Sequence, residues 1–438
     1  MPKVGIGQQI FEQRSTSARL SLRQEQRVQD ALKQVKERRE LALRAARMAN
    51  AAVEVEGSDG ERPSDEDAMA EEAGPSEQTE SAMETEEGKS RGRRAKARKA
   101  RSEGSWAAEL TSPEWLVEPP AGLATDWFVQ PKPDGQRCLV VAAKGWTVAR
   151  LKTGRLVERF PSNLPNGSRH TVEGSSSNFT ILDCVFHEKD STFYVTDVMA
   201  WGGHTVYDCD VEFRQYWLSS KLAEAHAGDA PSPRHRYRFL PAPVYAADVE
   251  GLRTAYAAPL PFARDGLQLL HRRGPYVLGP TPLVLLWKDA NCSRYFVDTD
   301  VDGNVPERQQ VVLRLLPGAA VGTSDDPPLI LGRIPQDFLE KNAGHLREGS
   351  LLRFSIGADG LAVSADGHPC PVEGPAGLQF EGAVRGRRRG ADSASKVIFQ
   401  HTARSSRPLA FEELLLAAGT TTPPVQLPEA GDTAMDSS

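Results

Sequence analysis

All seven tryptophans of this chain, from Trp106 to Trp287, lie beyond residue 101, and the first 101 residues hold a single phenylalanine, Phe11. Large aromatic side chains supply much of the apolar area that a core buries. A packed core is therefore expected only from residue 102 onward, and the first hundred residues are expected to take their order from elsewhere. A length of 438 residues suits two to three domains. The longest apolar runs, such as 282–287, fall far short of the ~20 residues a membrane-spanning helix needs. The start, MPKVGIGQQIF, lacks the hydrophobic segment of a signal peptide, so a soluble, unsecreted protein with no membrane partner is expected.

Charge is segregated along the chain. Residues 1–101 net +1, which leaves −7 for 102–438 out of a total of −6. A protein that tracks a long nucleic acid normally presents a broadly basic surface, because each neutralised phosphate releases counterions. The folded part here is acidic, so any nucleic-acid contact should be local. From Leu20 to Asn50 there is no Gly or Pro, and Ser21 with Gln24 three residues on fits a capping box, which predicts one long helix. Its apolar stripe (Val28, Leu32, Val35, Ala42, Ala46, Ala49) is half alanine and is interrupted by Arg39. Such a stripe is expected to be too thin to hold the helix on its own domain. Basic residues distributed around it suit a helix ordered inside an acidic partner, and equally a solvated helix or coiled coil. Residues 51–104 combine acidic, Ser, Gly and Pro-rich sequence with almost no large apolar residue and are expected to be a disordered linker. The basic run at 91–101 fits a nuclear-localisation cluster, an RNA-phosphate patch or an electrostatic counterweight to the acidic block.

The five cysteines are dispersed and odd in number, with no pair at metal-ligand spacing; they are read as reduced, mostly buried thiols. The nine histidines are equally scattered, and neither a structural metal nor a cofactor is expected. Beyond 105 the pattern turns β-rich, with strands expected at 137–143, 179–186, 193–199 and 283–287, a turn at Asn166-Gly167, and a helix from about Asp210 to Leu222. A second β-rich stretch at 310–402 offers QVVLRLL, SLLRFSI, LAVSA, LQFEGAV and KVIFQHTA as strands, followed by a short helix from Ala410 to Ala417. The class expected is α+β: a long N-terminal helix, a disordered linker, a mixed or antiparallel sheet domain, then a second, smaller β-rich domain. The corresponding boundaries are 1–50, 51–104, 105–300 and 301–418, with a frayed tail at 419–438.

The run YVTDVMAWGGHTVYDCDVEFRQYWLSSKL at 194–222 resembles the cap-binding domain of the snurportin family. SPEWL (112–116), DWFV (126–129), GQRCLVVA (135–142), LKTG (151–154), FTILDCVF (179–186), DGLQLL (265–270) and TPLVLLWKD (281–289) support it in the family's order. The arginine-rich helix ending RAARMA at 44–49 is similar to the family's importin-β-binding segment. The resemblance implies a non-enzymatic adaptor that shuttles between nucleus and cytoplasm. Such an adaptor carries trimethylguanosine-capped small nuclear ribonucleoproteins on importin-β and is returned by an exportin. It also implies that Arg23, Arg27, Lys36, Arg38, Arg39, Arg44 and Arg47 face importin-β. The 310–417 region resembles an extension of plant and algal members.

The residues make physical sense of a cap. N7 methylation gives guanine a delocalised positive charge, and a cationic ring on an indole gains dispersion and cation–π attraction. Trp287 falls where the family's stacking tryptophan is expected, although the family pattern reads VGW where this chain reads VLLW. Methylation of N2 removes its donors and favours an apolar wall, and Trp115 of SPEWL matches the family tryptophan beside those methyls. Arg137 of GQR and Lys152 of LKTG fall on the family's basic triphosphate contacts. Trp127, Trp201 and Trp217 are assigned to the core.

An enzyme reading competes. Lys132-Pro133-Asp134-Gly135-Gln136-Arg137 matches KxDGxR, in which nucleotidyltransferases, including the messenger-RNA guanylyltransferases that the cap-binding domain resembles, use the lysine as nucleophile. TPLVLLWKD resembles their lysine-bearing final strand, with Lys288 as a phosphate ligand, and 310–402 resembles their oligonucleotide-binding barrel. Their Asp-Gly-Glu motif is Leu182-Asp183-Cys184-Val185 here, without its glutamate, and their other acidic motif survives as Asp265-Gly266. Lys132 is therefore read as a cation lining the triphosphate site. A third reading is a nuclear scaffold with no small-ligand site.

Overall fold

A computed structural model describes residues 24–33, 38–54, 109–152, 154–172, 178–300, 303–342, 346–363, 369–384, 390–404 and 408–420. The linker expected at 51–104 lies outside these residues from 55 on, as does the tail from 421 on. The described residues begin with helices α1 (24–33) and α2 (Arg38–Glu54). It continues through β1 (Thr111–Trp115), the short α3 (Leu123–Asp126), β2 (Trp127–Pro133), β3 (Gln136–Ala143), β4 (Trp146–Leu151) and β5 (Leu156–Phe160). After β6 (Phe179–His187), β7 (Thr192–Trp201) and β8 (His204–Thr205) come α4 (Val211–Glu224), β9 (Arg238–Pro241), β10 (Tyr245–Ala246) and α5 (Val249–Ala257). The strands β11 (Arg264–His271) and β12 (Gly279–Trp287) complete this part.

These strands form two sheets. One has the order β1-β12-β11-β2-β10, antiparallel except for the parallel pair of β1 with β12. The other runs β5-β4-β3-β6-β7-β8 with β9 added parallel to β7. The period of two divides each strand between two environments. In β3 and β6, Cys138, Val140, Ala142, Leu182 and Cys184 pack in one apolar cluster, whereas Leu139, Val141, Ala143 and Ile181 face another. The first cluster is closed by α4, whose N-cap Asp210 accepts the Phe213 N–H as expected of a helix beginning there. Arg214, 2 % exposed, anchors α4 through a two-pronged bond to Asp197 on β7, at 2.8 and 2.9 Å.

Beyond 303 a third sheet has the order β15-β14-β13-β16-β19, built from β13 (Gln309–Leu315), β14 (Ala320–Gly322), β15 (Ile330–Arg333), β16 (Leu351–Ile356) and β19 (Gln379–Ala383). A hairpin of β17 (Leu361–Val363) and β18 (Pro369–Pro371) lies beside it. Its hydrogen-bonded order leaves β15 and β19 as edges among the described residues, so these bonds do not close a barrel. Helix α6 (Gln336–Asn342) follows β15, and α7 (Ala394–Arg404) and α8 (Phe411–Gly419) end the described chain. The apolar run KVIFQHTA, expected as a strand, lies in α7. Val397, Ile398 and Phe399 are buried in helical succession, and Ser393 accepts the Lys396 N–H at the start of the helix. A short apolar run does not distinguish strand from buried helix by itself, and the cap decides it.

The N-terminal helices depart most from expectation. They pack on the body of the protein. In α1, Val28 is 5 % exposed and joins the core behind β1 and β12. In α2, Leu41, Ala45, Met48 and Ala49 lie on the face of the second sheet beside Leu139, Val141 and Ile181. Spacings of four, three and one place these four side chains on one helix face, one step around from the Ala42 and Ala46 stripe read in the sequence. Alanine is what allows close approach here, since a helix backbone lies nearer a sheet when its contacting side chains are small. Arg44 bonds Glu109 at 2.9 Å and Arg27 bonds Glu114 at 2.9 Å, so two of the arginines assigned outward are engaged on the protein itself.

Trp127 and Trp201 are in the core as expected, and Trp217 is half-buried against the α4 cluster. All five cysteines are free; Cys138, Cys184 and Cys292 are buried, whereas Cys370 is exposed.

Candidate functional site

Two glycines position a cluster of charged side chains where the first two sheets meet. At Gly135, in the turn from β2 to β3, a Cβ would lie 2.5 Å from the Phe186 carbonyl oxygen, so the turn closes onto β6 only with glycine. That close approach sets Lys132 at the end of β2 and Arg137 at the start of β3. At Gly266, φ is +99° and a Cβ would meet the Trp287 carbonyl at 2.5 Å. The register of β11 against β2 shifts at this point, and Asp265 is turned inward.

Asp265 binds Lys132 through one carboxylate oxygen and Lys288 and Ser293 through the other. Burial pushes its carboxyl upward, but the two ammonium groups more than offset this and hold it below the ordinary carboxylate value. Burial also lowers the Lys132 amine despite Asp265, with Lys288 and Arg137 adding to the effect. Arg137 clasps Asp183 with bonds of 3.0 and 2.6 Å, and Tyr276 donates to the same carboxylate at 2.7 Å. Lys152 donates to the Ser112 hydroxyl at 2.7 Å, and its amine is lowered first by burial and then by Arg137. Lys288 also stands 5.9 Å from the centroid of Trp115, whose ring packs against Phe399 at 4.6 Å.

The cluster thus gathers Lys132, Arg137 and Lys152, the three residues expected at a triphosphate, near Trp115. Counted with Lys288, four cations face the two carboxylates Asp183 and Asp265, a local excess of +2 in a part of the chain that nets −7. Three members were not assigned this role from the sequence. Tyr276 carried no motif. Asp265 and Asp183 were recognised only as remnants of a metal-holding set, and here each is spent on cations instead.

Trp287 does not join the cluster. It is fully buried behind the sheet with Leu283, Leu285 and Phe411, and its indole N–H donates to the Leu409 carbonyl at 2.9 Å. The reason is the strand period: a shift of one residue turns a side chain to the opposite face. Leu286 and Lys288 project to the other side, both near Gly266. The extra residue in VLLW therefore turns Leu286 toward Gly266 and the charged cluster and sends the tryptophan into the core, and Trp287 has no ring face open to a base.

Of the residues expected to meet importin-β, Arg23 and Lys36 lie outside the described residues, as do the side chains of Arg38 and Arg39. Arg47 is exposed, while Arg27 and Arg44 make the ion pairs given above.

Residues 109–289 match the family model described as the Snurportin1, m3G cap-binding domain. This span takes in β1 to β12 and is snurportin-like; it omits the N-terminal helices and the third sheet. Solved structures that resemble the chain include a mycobacterial DNA ligase D complexed with ATP and MES, 13% identical over 66% of this chain and 97% of that one, with a TM-score of 0.28. Another is the ATP-dependent DNA ligase from bacteriophage T7 in complex with ATP, 10% identical over 63% and 99% of the two chains, with a TM-score of 0.29. Similarity at that level says nothing of what this chain does.

Proposed function

We propose that this chain is a nuclear import adaptor that binds the trimethylguanosine cap of spliceosomal small nuclear RNAs and links the particle to importin-β, shuttling between nucleus and cytoplasm with an exportin returning it. The observation that carries the reading is the cluster of cations beside Trp115 in an otherwise acidic body. A cap is a compact polyanion with an aromatic cation at its end, so it needs fixed cations at one place rather than a basic surface throughout. Lys152 offers a point charge to the phosphates, Arg137 and Lys132 add positive field from their places on Asp183 and Asp265, and Trp115 offers apolar cover to the base.

Selectivity tests this directly. The trimethylated cap should bind at least tenfold better than the monomethylated one. Losing the N2 methyls removes apolar burial worth ~0.8 kcal/mol per methyl-sized group and leaves N–H donors against an indole, at ~1–3 kcal/mol for an unsatisfied group. Trp115→Ala should reduce that preference, whereas Arg137→Ala should weaken both analogues alike, as fluorescence titration will read. Equal losses for the two analogues in Trp115→Ala would remove Trp115 from the methyl-reading role.

For the second function, α2 carries a docked face and an exposed one. Arg47→Glu should weaken importin-β binding and leave cap binding intact, because Arg47 lies away from Leu41, Ala45 and Met48. Arg44→Glu should do more. It places a carboxylate against Glu109, which is 6 % exposed, and should loosen α2 so that limited proteolysis between 38 and 54 accelerates several-fold. An unchanged cleavage rate would show that the ion pair does not hold the helix.

The juxtaposition of Lys132 and Lys288 keeps the nucleotidyltransferase reading in view. Its test is incubation with labelled GTP and magnesium. No lysyl–GMP adduct is expected, since Asp265 holds the Lys132 ammonium and Asp183 is spent on Arg137. A band that disappears in Lys132→Ala would replace the adaptor reading of this site.

A further inference from the structure

Along Glu114 and Trp115 of β1 lies a cleft of about 960 Å³. Its character is opposite to that of the cationic cluster. Glu114, Trp115 and Tyr207 line it from the snurportin-like span, and Asp325, Asp326 and Ser395 line it from the C-terminal part of the chain. The two parts are tied together here. The Trp115 N–H donates to the Ser395 hydroxyl at 3.2 Å, Phe399 of α7 backs the Trp115 ring, and Asp325 accepts the Ala394 N–H at 2.8 Å. The hydroxyl of Tyr207, a residue only 1 % exposed, has no hydrogen-bond partner.

The cleft already holds one planar cation. The Arg27 guanidinium of α1 reaches in to Glu114. Burial raises the Glu114 carboxyl and Asp325 adds to this, with Arg27 opposing both, so this wall gains from a positive charge placed against it. Trp115 thus has a cation near its ring and shares the cleft with the carboxylates of Glu114, Asp325 and Asp326. A methylated cap carries the complementary charges, with anionic phosphates at one end and a positively charged base at the other.

We propose that this cleft seats the positively charged base of the cap, and that the C-terminal part of the chain, through Asp325 and Asp326, supplies the charge that reads N7 methylation. The inference rests on the cap-binding reading and assigns to residues 303–420 a wall of the same site. Arg27 is the internal occupant that the base displaces from Glu114. The indole of Trp115 stands between Lys288 and the carboxylates of the cleft.

The experiment compares two dinucleotide cap analogues on the full chain, the trimethylated one and the same compound lacking only the N7 methyl, whose base is neutral. In Asp325→Asn/Asp326→Asn, binding of the trimethylated analogue should fall about three- to tenfold while the neutral one changes less than twofold, as expected for removal of partly exposed charges. Asparagine keeps the acceptor for Ala394, and the single variant Asp326→Asn, at an exposed position, should show a smaller loss of the same kind if the double variant is unstable. Arg27→Ala, which vacates Glu114, should tighten the trimethylated analogue. Equal effects on the two analogues, no effect on either, or weaker binding in Arg27→Ala would overturn the proposal. A wild-type chain that binds neither analogue would defeat the cap reading itself, and this inference with it.

Discussion

Trp287→Ala should destabilise the folded chain by about 3–5 kcal/mol, the cost of emptying a tryptophan site in a packed core. The side chain is 0 % exposed, lies 5.8 Å from Phe411 and 6.0 Å from Tyr256 between ring centroids, and donates to the Leu409 carbonyl. Replacement leaves a cavity between the first sheet and α8 and strands a buried acceptor, so α8 should detach first. Urea denaturation of the variant reads the loss as a lower midpoint, and proteolysis after residue 408 should accelerate. Had Trp287 been the platform for a base, the variant would keep its midpoint and lose about 1–3 kcal/mol of ligand binding instead. A stable variant with weakened cap binding would overturn the placement of Trp287 in the core.

The contrast shows where sequence reasoning succeeds and where it stops. The runs 137–143, 179–186 and 193–199 are legible because β-branched and aromatic residues bounded by turn formers leave few alternatives, and observed strands cover all three. The helix from about Asp210 to Leu222 is legible from Val211, Leu218 and Leu222 on one face, and all three are buried. Motif position also brought Lys132, Arg137, Lys152 and Trp115 to one place, because the motifs fall at strand ends and the sheet order does the rest. What motif position does not fix is the face of a strand. One inserted residue in VLLW reverses it, and only the register of β12 against β11, with Trp287 opposite Leu267 and Leu286 opposite Gln268, shows which side chain faces the charged cluster. The N-terminal helices failed for a different reason. Their alanines are weak as a hydrophobic stripe but suited to close contact with a sheet, and that value appears only once the opposing surface of Leu139, Val141 and Met199 exists. Tyr276 likewise has no local signal. Its role depends on Arg137 and Asp183, which lie more than ninety residues away in the sequence.

Asp265→Asn should cost about 3–5 kcal/mol, the range for breaking a buried ion pair by removing one partner. Lys132 and Lys288 are 17% and 6% exposed at their side chains, and both rely on the one carboxylate, so the variant leaves two ammonium groups facing each other without it. Asparagine keeps the shape and one acceptor, which limits the loss to the charge. The pH dependence separates this from a packing effect. The folded-state pKa of Asp265 lies below its ordinary value of 3.8, so its contribution is complete above that value and is lost as pH falls through the lower folded one. Wild-type stability should therefore hold this contribution down to about pH 4 and lose it only in stronger acid, whereas Asp265→Asn should lack that limb of the profile and be weaker throughout the neutral range. Lys132 acts in the opposite sense. Its amine is lowered by burial, and without Asp265 it should fall further, so the variant should regain stability as pH rises toward the ordinary lysine value of 10.5. The same change should free both lysines for phosphate, and inorganic phosphate should raise the melting temperature of the variant more than that of the wild type. A variant with wild-type stability at pH 7, or one that gains nothing from phosphate or from raised pH, would show that Asp265 does not hold the two lysines in check.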